Sequence, residues 1–381
     1  MKIVLTMMVR DEIDIIVPML EHHIDQGIET LIVTDNGSVD GTTEVLEKYA
    51  DAGYVELHHD PVHRKQQGVV TTAMARRART EHGADWVINA DADEFLVPRV
   101  RSRRVADVLA EISLDLISFT VPVVNYVGVP AERGSGVDRL VYRDRRDVEQ
   151  LKACGIPSQP TPNMIHRGDP SVVVVQGNHF TDLASNGEPP EDLALECLHL
   201  PWRSWEQFEQ KVRHAGLGYE ANPDLRPSPN HHGMMDYRRW QAGRLRHSFV
   251  TRMPLEKDLE SDPTTYERDP WLADHLHGLV DRAVFPHLLA EAVDSARDEA
   301  LTREDHETSV VLARQFMDLE GAISERGHRI SELEAESDTL RYERDLARRE
   351  ATTAWKQVST RTQISHAARS VGHALRQRLT R

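Results

Sequence analysis

A chain of 381 residues allows about two to three domains at ~150 residues each. A hydrophobic share of 39% supports a real core, while a mean hydropathy of -0.51 implies a large polar surface or tail. The formal charge of -16 excludes a general nucleic-acid binder, which needs a basic footprint. Two cysteines, Cys154 and Cys197, match no metal-ligand spacing and make no disulfide framework, so a reducing cytoplasm is expected. The apolar run before Arg10 is too short for a signal peptide's core, and no later run approaches the ~20 apolar residues of a membrane span.

Residues 3–9 (IVLTMMV) form a continuous apolar run, the pattern of a strand buried on both faces. An amphipathic helix follows to about Gln26 and ends at Gly27. A second strand at 29–34 leads into DNGSVDGT, which is turn chemistry, and then into a helix to about Ala52. A third strand at 54–58, the polar loop DPVHRKQQG and a helix over 69–82 precede a fourth strand at 85–90. This alternation predicts right-handed crossovers and an α/β fold with a mostly parallel sheet. Ligands of such sheets bind beyond the C-terminal strand ends, where four polar loops of this chain fall. Further on, the sequence predicts a helix at 105–113 and a strand at 115–124. Residues 125–170 read as a loop region, 172–180 and 194–200 as strands, and Ser204 starts a helix with Gln207 three residues on. Residues 222–285 show no assignable pattern, and 286–319 read as helix.

The stretch DWVINADADEFLVP, residues 85–98, ends a buried strand in Asp91, Asp93 and Glu94. Carboxylates on alternate residues past a strand can converge on one divalent cation, and without one they repel each other. The plain reading is a solvated acidic turn.

MVRDE, TDNGSVDGT, RKQQG and DADEF, in this order, resemble the family-2 glycosyltransferases of the GT-A fold. His199, Arg203, Ser204, Glu206, Phe208 and Lys211 resemble the later H-x-x-x-[KR]-S-x-E-x-F-x-x-K element of one branch. The resemblance covers about residues 1–220 and implies a three-layer α/β/α sandwich. It also implies transfer of a sugar from a nucleotide-diphosphate donor to a glycan, lipid-linked or other hydroxyl acceptor, usually with inversion and with Mg²⁺ or Mn²⁺. On that basis Asp93 is the first metal ligand, Asp91 reaches the ribose or shares the metal, and His199 completes the site. Arg203 and Lys65 would add positive charge, with Gln66 beside Lys65. Asp35 and the loop Val9, Arg10, Glu12 would hold the base. His179 is read as a satisfied strand-end histidine, an acceptor contact or a metal ligand in place of His199. Lys211, on a polar helix face, reads as exposed. Spacing selects no catalytic base from Glu94, Asp138, Asp169, Glu188 and Glu191.

The expected organisation is a catalytic domain at 1–220, its mixed helical extension at 221–319 and a helical tail at 320–381. In the tail, Ile330, Leu333, Leu340, Ala347, Ala351, Ala354 and Val358 recur at heptad spacing, interrupted by Ser337 and Arg344. This fits either a short coiled coil that makes a homo-oligomer or an extended solvated helix. Residues 361–381 hold five arginines and no acid, either a basic amphipathic helix resting on the inner face of a membrane or a solvated end. A sugar nucleotidyltransferase shares such a sheet but needs a Gly-rich, Arg-containing loop after its first strand, and MVRDE has no glycine. Two further rival readings stand beside the transferase. One is a non-catalytic nucleotide-binding or interaction protein that assembles through the tail. The other is a phosphatase using the paired aspartates, although Phe95 stands near where its motif would want Thr or Val.

Overall fold

A computed structural model describes residues 1–62, 66–175, 178–222 and 232–379. Two compact units are distinguished, Met1–Arg314 and Gln315–Arg381. The first opens with β1 (Ile3–Val9), α1 (Ile16–Asp25), β2 (Thr30–Asp35), α2 (Thr42–Asp51), β3 (Val55–His59), α3 (Gln67–Thr80) and β4 (Trp86–Asn89). It continues with β5 (Glu94–Pro98), α4 (Val105–Glu111), β6 (Ser118–Val121), β7 (Val123–Val127), β8 (Tyr142–Asp144), α5 (Val148–Ala153), β9 (Asn163–Arg167) and β10 (Leu195–His199). Then come α6 (Trp205–Glu220), α7 (His232–Gln241), α8 (Leu245–Arg252), α9 (Glu256–Ser261), β11 (Tyr266–Arg268), α10 (Trp271–Leu279), α11 (Pro286–Ala292) and α12 (Arg303–Leu379).

The main sheet runs β3-β2-β1-β4-β9-β6, with β1 to β4 mutually parallel and β9 antiparallel to both neighbours. The continuous apolar character of β1 follows from burial on both faces. Val4 joins Ile32, Val87 and the α3 residues Met74, Ala75 and Ala78 in one core. Leu5 and Met7 point the other way, into the core that holds Ile16, Met19 and Leu20 of α1 and Tyr49 of α2. The result is the three-layer α/β/α arrangement with a mostly parallel sheet and a helical C-terminal extension expected from the sequence.

A second sheet, β11-β8-β7-β10-β5, packs beside the first. The expected strand at 115–124 is two strands, because Pro122 interrupts it. Proline lacks the N–H that a continuing ladder needs, and β6 stays in the main sheet while β7 enters the second. The loop expected over 125–170 contains β8, α5 and β9, and β9 lies between β4 and β6 inside the main sheet. The strand expected at 172–180 is not formed by the described residues, where Val174 makes only an isolated bridge to Thr181. The helix expected over 286–319 is broken between α11 and α12.

Residues 232–314 pack into the first unit. Phe249 of α8 meets Trp205 and Phe208 of α6 with ring centroids 5.8 and 5.5 Å apart. Arg143 of β8 pairs with Asp269 at 3.0 Å. In the second unit, the described residues 315–379 are helical throughout as the continuation of α12. No helix of the described residues is long and apolar enough to cross a membrane.

Candidate functional site

The register of the parallel strands sets the site. Val9 pairs with Asp35 and Asp35 with His59, so the loops after β1, β2 and β3 leave from one edge. Thr6 pairs with Asn89, which brings the turn after β4 to the same edge. A cleft of about 230 Å³ opens there. Arg10, Asn36, Gln66, Gln67, Asp91 and Asp93 line one side, and Gln207, Lys211 and His214 of α6 line the other. The spacing of the last three is one face of a helix. Ser204 caps that helix, accepting a hydrogen bond from the Gln207 amide at 3.2 Å.

Three loops are tied to each other before any ligand enters. Arg10 donates to the Asn36 carbonyl oxygen, and the Asn36 amide donates to the carbonyl oxygens of Asp60 at 2.7 Å and Val62 at 3.0 Å. Asp11 holds a left-handed backbone conformation, φ 54°, uncommon for a residue with a side chain. Its carboxylate accepts from the Val39 amide at 2.7 Å, and its own amide donates to Ser38 at 2.9 Å.

Asp91 and Asp93 lie in the turn between β4 and β5. Because β5 pairs antiparallel with β10, Glu94 stands opposite His199, and the histidine arrives beside the acids through sheet register. His199 Nε2 is 3.6 Å from Asp93 Oδ2, and its Nδ1 is 2.9 Å from Asn125 Oδ1. With Nδ1 protonated, the ring donates to Asn125 and turns its Nε2 lone pair toward Asp93, the arrangement that second-shell partners impose on metal-binding histidines. The same Asp93 oxygen accepts from Lys211 Nζ at 2.6 Å and lies 3.4 Å from Arg203 Nη1. Burial alone would raise the Asp93 carboxyl, but Lys211, Arg203 and His199 in its protonated form hold it well below the usual range. Its other oxygen, Oδ1, is buried and has no hydrogen-bond partner among the described residues.

That orphaned oxygen and the orientation of His199 fit a divalent cation held by Asp93 and His199 with Asp91. Yet among the described residues no three such side chains are gathered closely enough to ligate an ion. Asp91 Oδ1 instead accepts from Gln67 at 3.1 Å and Asn178 at 2.9 Å. Protein cations occupy the position that a metal would contest.

Several expected site residues have other partners. Arg203 is fully buried and binds Glu12 and Asp14, at 2.7 Å in the second case, so it supports the acids from behind and does not line the cleft. Asp35 accepts from Ser38 and Thr43 and organises its own loop, leaving Asn36 to face the cleft. Gln66 lines the cleft and donates to Asp60, and Val9, Arg10 and Glu12 also line it. Lys65 and the neighbouring Arg64 lie outside the described residues. His179 is hydrogen-bonded to Asn163 at 3.0 Å, which matches its reading as a satisfied histidine. Of the five base candidates, Asp138 is paired with His277 at 2.7 Å, Asp169 caps a turn at Ser171, and Glu188 accepts from Thr120 at 3.0 Å. Those three and the exposed Glu191 do not line the cleft. Glu94 is buried behind it, accepting from the Asp91 amide at 3.0 Å and from Asn163 at 2.8 Å. Lys211, read as exposed from its polar helix face, has its ammonium on Asp93. His214, 3.4 Å from Asp11, was not singled out by any pattern. The i, i+4, i+7 spacing of Gln207, Lys211 and His214 was the available signal.

Residues 4–131 match the family model described as glycosyltransferase family 92. The similarity is to glycosyltransferases. The matched segment takes in the loops of β1 to β4 and the acidic turn, and ends before β10 and α6. The motifs had suggested family 2. No curated protein matches the chain. Among solved structures, S. aureus TarS 1–349 in complex with UDP-GlcNAc is 11% identical over 82% of this chain and 89% of that one, with a TM-score of 0.34. Glucosyl-3-phosphoglycerate synthase from Mycobacterium tuberculosis, in complex with phosphoglyceric acid, is 14% identical over 66% of this chain and 81% of that one, with a TM-score of 0.26. At such TM-scores these likenesses decide nothing about the site.

Proposed function

We propose that the chain is a glycosyltransferase that moves a sugar from a nucleotide-diphosphate donor to a hydroxyl acceptor, a glycan or a lipid-linked glycan. The observation that supports it is the convergence of the β1, β2 and β4 loops with the 66–67 segment on one cleft, faced by Lys211 of α6. Arg10, Asn36 and Gln66 line the part of the cleft suited to the nucleotide. Asp93 and His199, with Asp91, would hold Mg²⁺ or Mn²⁺, which would offset charge developing on the departing diphosphate. The cleft lining itself argues for such an ion. Asp11, Glu12, Asp91 and Asp93 outnumber Arg10 and Lys211 among the described lining residues, and the Arg203 guanidinium behind them does not close the gap. An anionic donor therefore needs more positive charge than these residues supply. Residues 323–360 would join copies of the chain through the heptad seam, whose Ile330, Leu333 and Leu340 are 56%, 47% and 58% exposed in the single chain.

A thermal-shift screen of nucleoside diphosphates and their sugars, with and without Mn²⁺, tests the donor. A ligand at a hundred times its Kd stabilises by about 2.7 kcal/mol, so one nucleotide class should stand out. Asp93→Asn should lose both that shift and sugar transfer. Transfer that persists unchanged in Asp93→Asn would sink the proposed role of the acid.

A further inference from the structure

The Asp93 carboxylate is already paired with a lysine. We propose that Lys211 is a resident counter-ion that a divalent cation must displace from Asp93, so that the empty protein holds metal weakly by itself. The proposal rests on the cation site of the preceding section.

The two cations on Asp93 are held differently. Arg203 is fully buried and is fixed by Glu12 and Asp14 as well as by Asp93. Lys211 reaches in from α6 on a side chain that is 43% exposed. Among the described residues, Asp93 is the one carboxylate within salt-bridge distance of its ammonium, at 2.6 Å. A lysine has a flexible four-carbon stem and a compact charge, so it can leave where a buried, forked guanidinium cannot. An ion shared by Asp93 and His199 would sit within a few Å of the ammonium, and the two positive charges would repel. The cleft mouth beside Lys211 is where a diphosphate would enter, and a displaced ammonium would find a new partner on its oxygens. Metal and diphosphate then assist each other, and by linkage the help is reciprocal.

The test is Mn²⁺ binding to the intact chain in the absence of nucleotide, followed by the loss of the free-ion electron paramagnetic resonance signal. Lys211→Met should bind Mn²⁺ at least about tenfold more tightly than wild type, the order expected from removing a unit charge a few Å from the ion. Lys211→Gln, a second neutral side chain, should show the same gain, and Lys211→Arg should stay near wild type. Equal or weaker Mn²⁺ binding in both neutral variants overturns the proposal, as does a gain in Lys211→Arg as large as theirs. In wild type, the nucleoside diphosphate giving the largest thermal shift should raise Mn²⁺ affinity, and in Lys211→Met that enhancement should shrink. If no nucleotide binds but the neutral variants still gain Mn²⁺, the counter-ion role stands and the donor reading falls. If nucleotide binds and the variants gain nothing, the reverse holds.

Discussion

Glu94 and Glu12 flank Asp93, and burial pushes both carboxyls up to about 7. For Glu94 the neighbouring Asp91 adds to the effect of burial, and Asn163 and the Asp91 amide partly offset it. For Glu12, Arg203 and Lys211 offset burial while Asp93 and Asp14 reinforce it. A carboxyl whose pKa is higher in the folded than in the unfolded state favours folding most at low pH. Between about pH 4.5 and 7 the folded chain binds more protons than the unfolded one, so stability falls as pH rises and levels off above 7. Glu94→Gln should flatten part of that slope and raise the unfolding free energy above pH 7, by on the order of 1–3 kcal/mol. A urea titration at several pH values measures it, and an unaltered slope would mean that Glu94 is not the buried acid responsible. Arg203 calls for the opposite experiment. Arg203→Met leaves Glu12, Asp14 and Asp93 without their shared guanidinium, and breaking a buried pair in this way costs about 3–5 kcal/mol. Lysine at that position should not restore the loss, because it lacks the fork that reaches several carboxylates at once.

At the scale of elements, α6 brings the second wall to the cleft, and its start depends on one side chain. Ser204→Ala should cost about 1 kcal/mol through the lost cap. It should also weaken nucleotide binding, since Gln207, Lys211 and His214 all follow that first turn. Equilibrium denaturation and a nucleotide titration on the same variant separate the two effects. Further along the helix, a Cβ on Gly216 would lie 2.1 Å from the Tyr237 ring, so Gly216→Ala should force α7 away and cost about 1–3 kcal/mol. Calorimetry with Gly216→Ala and Tyr237→Leu, singly and combined, would show whether the ring is the obstacle. These elements also mark what the sequence could and could not reveal. The β1 to β4 alternation was legible because six of the seven residues of β1 are apolar, and the Ser204 cap was legible because its signal is three residues long. The second sheet was not, since β5, β7 and β10 are short apolar segments whose pairing is decided by contacts far apart in the chain. β9 was hidden for the same reason, its NMIHR carrying no alternation that announces a strand buried between two others. The acids themselves were visible at once, and the resemblance pointed to Arg203, but the ammonium of Lys211 on Asp93 was not foreseen. Whether Arg203 and Lys211 face solvent or Asp93 depends on where α6 is laid, and no local pattern encodes that.

At the scale of the molecule, the two compact units divide the chain's tasks. The first carries the cleft, and the second is a helix with a thin apolar seam broken by Ser337 and Arg344. Replacing Leu333 and Leu340 together with Asp should lower the mass seen by sedimentation equilibrium while leaving the nucleotide thermal shift untouched. A wild-type chain that sediments as a monomer would leave an extended solvated helix as the description of the tail. The pairing of Glu94 with His199 has a consequence for how such a chain can evolve. The histidine meets Asp93 only because β5 and β10 are in one register, and a slip of one residue turns every side chain of a strand to the opposite face. A single inserted or deleted codon within 94–98 or 195–199 should therefore abolish the site even where the sheet still forms. The exposed connection around 184–190, although Ala184, Ser185, Asn186 and Glu188 bond to residues 115–120, can change length at less cost, because neither strand's register is set there. Length variation among descendants of this chain should pile up in that connection and stop abruptly at the two strands.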